Sequence, residues 1–126
     1  MMNVLDSSAW VEYAADGQLA DTFEPILLKT DELVVPSICF HEVYKRISRE
    51  KDDEAADHVV YMMSQGKVVD LDSSIAIYST KISQTWKLPI ADSIIYAITL
   101  LYEAELWTTD HHFKDLPAVH YFEKSV

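Results

Sequence analysis

The sequence predicts an α/β sandwich built on a parallel sheet, and three observations lead there. Short apolar runs alternate with longer stretches of helical spacing through most of the chain, as they do where helices cross over between parallel strands. The first run, residues 2–5, is MNVL, apolar without alternation, which suits a central strand covered on both faces. A chain of 126 residues, 49% hydrophobic with only two glycines, makes one domain (1–126) with a full core. No internal repeat or low-complexity tract divides it.

The elements follow in order. After the strand at 2–5, Asp6 stands where a helix begins, and an N-cap is its plainest role. Gly17 ends that first helix. Residues 19–28 read as a second, through Leu19, Phe23, Ile26 and Leu27, with a kink or break expected at Pro25. Residues 33–35 are a short strand, stopped by Pro36-Ser37. A helix over Ser37–Glu50 takes its apolar contacts from Ile38, Val43 and Ile47. Its Glu42, Arg46 and Arg49 fall at i, i+4 and i+7 and so share one face. That face is either solvated and held by a Glu–Arg pair, or an inward acid with basic residues leading away along the path of an anionic substrate.

A charged connector leads to a helix over 55–65, faced by Ala56, Val59, Val60 and Met63, with Gly66 fitting its C′ position. A strand over 67–71 follows, then a cap at Asp72 or Ser73, then a helix carrying Ile75, Tyr78, Ile82 and Trp86. Past Pro89 a long apolar helix carries Ile94, Ile95, Ile98 and Leu101 on a broad face. Asp92, Tyr96, Thr99 and Glu103 form a narrow polar seam on it. Asp92 lies near its first turn, where the helix dipole favours an anion. Strands at 106–108 and 119–122 complete the set, with Asp110 just past the first of them.

Composition narrows the function classes. The net charge is −11, from 10 basic and 21 acidic side chains. Binding nucleic acid by bulk electrostatics needs the opposite balance. Bound divalent cations could invert the charge locally, and a basic protein or peptide would be a natural partner. Cys39, the single cysteine, excludes an internal disulfide and reads as a buried, inert thiol. No targeting segment is visible, and no run reaches the roughly 18 apolar residues of a membrane helix. A soluble, cytoplasmic protein is expected.

In parallel sheets, ligands bind beyond the carboxyl ends of the strands. Asp6 and Asp110 lie there, and Glu42 and Asp92 lie early in helices, so all four can reach one edge of the sheet. Four carboxylates in one place repel each other unless protons or a cation sit among them. Oxygen-rich sites suit Mg²⁺ or Mn²⁺. Such ions acidify water and neutralise phosphate charge, which makes phosphodiester hydrolysis the natural reaction. No zinc-type cysteine–histidine spacing, phosphate-binding glycine loop or serine-hydrolase elbow is present. His111 and His112 are neighbours whose side chains are expected to point apart, as loop or surface histidines.

Four motifs now stand in order: Asp6-Ser7-Ser8, Glu42 in HEVYKR, Asp92 in ADSIIYA, and Thr108-Thr109-Asp110 in TTDHHF. Together they resemble the PIN domain, and more narrowly the VapC-type ribonuclease toxins of bacterial and archaeal toxin–antitoxin pairs. The resemblance runs from about residue 2 to about residue 122. It implies a three-layer α/β/α fold with a parallel sheet of four to five strands in the order 3-2-1-4-5. It implies Mg²⁺- or Mn²⁺-dependent endonucleolytic cleavage of RNA. It also implies a cognate VapB-type antitoxin, whose C-terminal tail occupies the active-site groove, and homodimers are common among members. By motif, Asp6, Glu42, Asp92 and Asp110 are the catalytic acids, with Ser8 and Thr108 as supporting hydroxyls. Asp6 and Asp92 would hold the metal, completed by Asp110 and Glu42 directly or through water. Arg46 and Arg49 are the candidates for RNA backbone contacts. Many relatives carry one more acid two residues after the fourth, and here that position is His112.

Other readings are a PIN-like module that binds without cleaving, an RNA-maturation nuclease, a phosphoacceptor receiver-like domain, and a structural protein whose acids are caps. The receiver reading lacks a paired acid beside Asp6 and a well-placed lysine. The last needs four separate coincidences.

Overall fold

The computed structural model describes residues 1–124. Its strands are β1 (Asn3–Leu5), β2 (Leu33–Pro36), β3 (Lys67–Val69), β4 (Glu105–Thr108) and β5 (Val119–Tyr121). Its helices are α1 (Ser7–Ala14), α2 (Ala20–Leu28), α3 (Ser37–Glu50), α4 (Asp53–Met63), α5 (Ser73–Trp86) and α6 (Ile90–Leu101). Short 3-10 turns lie at Thr30–Glu32 and His111–Phe113.

All strands pair in parallel, in the order β3-β2-β1-β4-β5. Successive residues of the inner strands β1 and β2 are buried, Val4 and Leu5 in one and Leu33, Val34 and Val35 in the other. Adjacent strand residues point to opposite faces, so both faces must be covered. The covering helices form two packed groups, α1 to α4 and α5 with α6. The core between them is centred on Trp10, Phe23, Tyr96, Ile95 and Phe113, all with no exposed surface. No helix among the described residues is long and apolar enough to cross a membrane.

Strand order reverses at the β1–β4 pair. From β1 the chain builds outward to β2 and β3, then returns to place β4 on β1's other side. The crevice beyond the carboxyl ends of such a pair is where an open α/β sheet accepts ligands. Asp6 follows β1 and Asp110 lies just past β4, so the topology brings to one place two acids 104 residues apart.

Several local expectations are corrected. α2 continues through Pro25, because Phe23 and Leu27 are anchored in the core while the proline is exposed to solvent. Gly66 is not a left-handed cap: no glycine has a positive φ, and the residue lies beyond the Ser64 cap of α4. A side chain on Gly66 would meet the Leu33 carbonyl oxygen at 3.0 Å, so its smallness serves the approach of β3 to β2. On α6 the polar seam is internal. Asp92 to Thr99 are all buried, Tyr96 donates to the Pro117 carbonyl and Thr99 to that of Ile95. Glu103 lies past the helix end with φ 50°, and Leu101, expected on the apolar face, is 52% exposed.

Candidate functional site

Asp6 caps α1 and is held by three donors. Oδ1 accepts from the Ser7 amide at 2.7 Å. Oδ2 accepts from Ser8 Oγ at 2.7 Å and from Thr108 Oγ1 at 2.8 Å. The capping carboxylate is thus fixed by the hydroxyls of Ser8 and Thr108. The same hydroxyls stitch the ends of β1 and β4 together: the Thr109 amide donates to Ser8 Oγ at 3.1 Å and the Asp110 amide to Thr108 Oγ1 at 2.9 Å.

Asp92 enters from the first turn of α6, buried, facing the same space. Asp110 caps the 3-10 turn, accepting from the His112 amide at 2.9 Å and from His112 Nδ1 at 2.7 Å. Glu42 reaches in from α3, and its Oε1 accepts from Ser7 Oγ at 2.6 Å. The alternative for Glu42, a solvated pair with Arg46, is excluded, since Arg46 pairs with Glu50 one turn on.

All four acids line one cavity of about 390 Å³, together with Ser8, Arg46 and Arg49. Every predicted site residue is therefore in this cavity except Thr108, which is buried behind Asp6. Sequence reasoning missed Ser7, His41 and Lys45, which also line it. Lys45 falls three residues after Glu42 on α3, a helical neighbour that the spacing alone could have flagged.

The electrostatics are those of crowded, desolvated acids. Burial pushes the Asp6 carboxyl from an ordinary 3.8 up to about 6, against the pull of its Ser8 and Thr108 hydrogen bonds, and Asp110 and Glu42 add to the rise. Asp92 rises to about 7, chiefly by burial and then by the charges of Asp110 and Asp6. His112 answers them: its hydrogen bond to Asp110 raises its pKa, and Nδ1 lies 3.5 Å from Asp92 Oδ2. Here the expectation for the histidine pair fails. Both are exposed, but their rings stack with centroids 4.4 Å apart, and ligand atoms of Asp110, His111 and His112 all lie within 4.8 Å of one another. The tight 3-10 turn turns both rings to one side. Cys39 is buried, as expected, and burial pushes its thiol far up, which removes it from the chemistry.

The PIN domain family matches residues 4–119, and the chain belongs to it. Solved structures share the fold at low sequence identity. A toxin–antitoxin complex from Klebsiella pneumoniae is similar with TM-score 0.78 and 19% identity, over 94% of this chain and 95% of that one. The VapC20 toxin of Mycobacterium tuberculosis, described as cleaving the sarcin–ricin loop, has TM-score 0.76 and 10% identity over 91% and 95%. VapBC2 of Rickettsia felis, bound to a promoter DNA fragment, has TM-score 0.73 and 16% identity over 98% and 100%. No curated protein matches the chain in sequence.

Proposed function

We propose that the chain is a metal-dependent endoribonuclease that acts as the toxin of a VapBC-type pair. The observation that carries this is the convergence of Asp6, Glu42, Asp92 and Asp110 in one cavity edged by Lys45, Arg46 and Arg49. The donor set fits a hard divalent ion. Asp6 and Asp92 retain protons well above the ordinary carboxylate range, so a cation among them would relieve both burial and mutual repulsion. Asp6 and Asp92 would hold Mg²⁺ or Mn²⁺, with Asp110 and Glu42 completing the set directly or through water. When bound, such an ion lowers the pKa of water and neutralises charge on a phosphodiester.

The chain's own residues do the rest. Ser8 and Thr108 keep Asp6 aimed into the cavity, and Ser7 does the same for Glu42. Arg46, Arg49 and Lys45 form a cationic rim in a protein that is otherwise strongly acidic, which gives RNA phosphates a basic edge to approach beside the acids.

A second hollow of about 890 Å³ lies between the α1–α2 and α3–α4 pairs and shares Val11 with the acid cavity. Its floor includes Ile47, Val59 and Met62, and Asp21, Glu24 and Glu54 stand among its walls. An apolar floor with acidic walls suits a basic, amphipathic antitoxin segment, whose end can then reach the site through Val11. The reading is tested by co-purification with the product of the adjacent reading frame and by growth arrest on expression. Arrest should be relieved by Asp6→Asn or by co-expression of that partner. Arrest that persists unchanged with Asp6→Asn overturns the toxin reading.

A further inference from the structure

Resting on the metal-dependent reading above, we propose that His112 is a direct nitrogen ligand of the ion. His112 stands beside the acid cavity and not in its lining, so the ion would sit at the Asp92–Asp110 edge, a mixed oxygen–nitrogen site that favours Mn²⁺, or a later first-row ion, over Mg²⁺. The geometry is specific. His112 Nδ1 stands 2.7 Å from Asp110 Oδ1 and 3.5 Å from Asp92 Oδ2. Neighbouring donors around an octahedral ion with bonds of roughly 2.1 Å lie about 3 Å apart. The two observed separations bracket that value, so Nδ1 stands at donor spacing from one oxygen of each carboxylate. Nδ1 and Oδ1 lie within hydrogen-bond distance, and an ion held between them would take the place of that contact.

A histidine that merely neutralises a surface acid looks different in this molecule. His120 pairs with one carboxylate, Glu105 at 3.0 Å, and its ring lies flat on Trp107 away from the acid cavity. His112 faces two carboxylates from different elements. Its backbone is fixed by the Asp110 cap, and its outer face is backed by the His111 ring. Imidazole nitrogen is a poor donor for Mg²⁺ and a good one for the transition series, whereas carboxylate serves both. Replacing one oxygen donor by nitrogen therefore shifts preference away from Mg²⁺.

The test uses the full-length protein, stripped of metal and titrated with Mn²⁺. Pulsed electron paramagnetic resonance of bound Mn²⁺ should show coupling to a ¹⁴N nucleus. The coupling should vanish in His112→Asn and persist in His111→Asn. The Mg²⁺ concentration needed to displace Mn²⁺ should fall at least about tenfold in His112→Asp. All three variants lie on an exposed turn, and circular dichroism should match the wild type. Bound Mn²⁺ without nitrogen coupling, coupling that survives His112→Asn, or an unchanged Mg²⁺–Mn²⁺ ratio overturns the assignment. RNA cleavage that persists in any of those cases leaves the nuclease reading standing. A protein that neither binds Mn²⁺ nor cleaves RNA overturns both.

Discussion

Asp6 and Asp110 lie at the carboxyl ends of neighbouring parallel strands, yet the two corners are built differently. The Asp6 corner is closed. The residue is buried, and its donors come from the start of α1 and from Thr108 of β4, so moving it means moving the sheet. The Asp110 corner is open. Its carboxylate is 25% exposed, and its side-chain partner is an imidazole on a three-residue turn. Within one cavity the closed corner sets where charge is held. On the proposed reading the open corner would set which cation or substrate is accepted, because the histidines of its turn are exposed. A substitution such as His112 for an acid is tolerable only at the second kind of corner.

That contrast can be broken in several ways. The largest effect expected is on Asp92, which faces both corners. Asp92→Asn should lower RNA cleavage by two to three orders of magnitude, as loss of one preorganised electrostatic partner does. Single-turnover kinetics with a defined RNA check this.

Next comes pH. In the unfolded chain Asp6 and Asp92 lose their protons near 3.8, whereas in the fold they keep them to about 6 and about 7. Between those values the native state binds more protons, so stability falls as pH rises. His112 acts in the same sense, since its raised pKa contributes stability below its ordinary 6.5 that is lost at higher pH. The metal-free protein should therefore lose roughly 3 kcal/mol on account of Asp6 alone between about pH 4 and pH 7. Denaturant titrations across that range measure it. Asp92→Asn should flatten the profile, and saturating Mn²⁺ should reverse its slope.

The third effect separates the corners directly. Thr108→Val removes a buried donor from Asp6 and should cost about 1–3 kcal/mol of stability. His112→Asn, on the open turn, should change stability by less than about 0.5 kcal/mol. Equal losses in thermal denaturation would erase the distinction. The smallest effect belongs to the rim. Arg46→Ala and Arg49→Ala should each raise KM several-fold, leave kcat nearly unchanged and weaken the salt dependence of binding.

The legible part of this molecule was what repeats or what topology enforces. Apolar runs gave β1 and β2, helical spacing gave α3 with its bounds intact, and the strand-end position of Asp6 and Asp110 brought the acids to one edge. What stayed hidden depends on side-chain direction. Glu42 and Arg46 share a helix face, but only the fold shows that Glu42 turns to Ser7 and Arg46 to Glu50. Adjacent histidines point apart in an extended strand, and a 3-10 turn stacks them instead. A kink or break was expected at Pro25; α2 is not broken there, and Phe23 and Leu27 on either side of the proline are buried.

The central claim is that a cation held by these acids cleaves RNA. The direct measurement is cleavage of a defined RNA by the purified chain with Mn²⁺, with Mg²⁺ and with EDTA, beside Asp6→Asn of matched circular dichroism. The predicted result is cleavage that requires the cation and is nearly abolished in the variant. Cleavage undiminished by EDTA, or equal in Asp6→Asn, would contradict it.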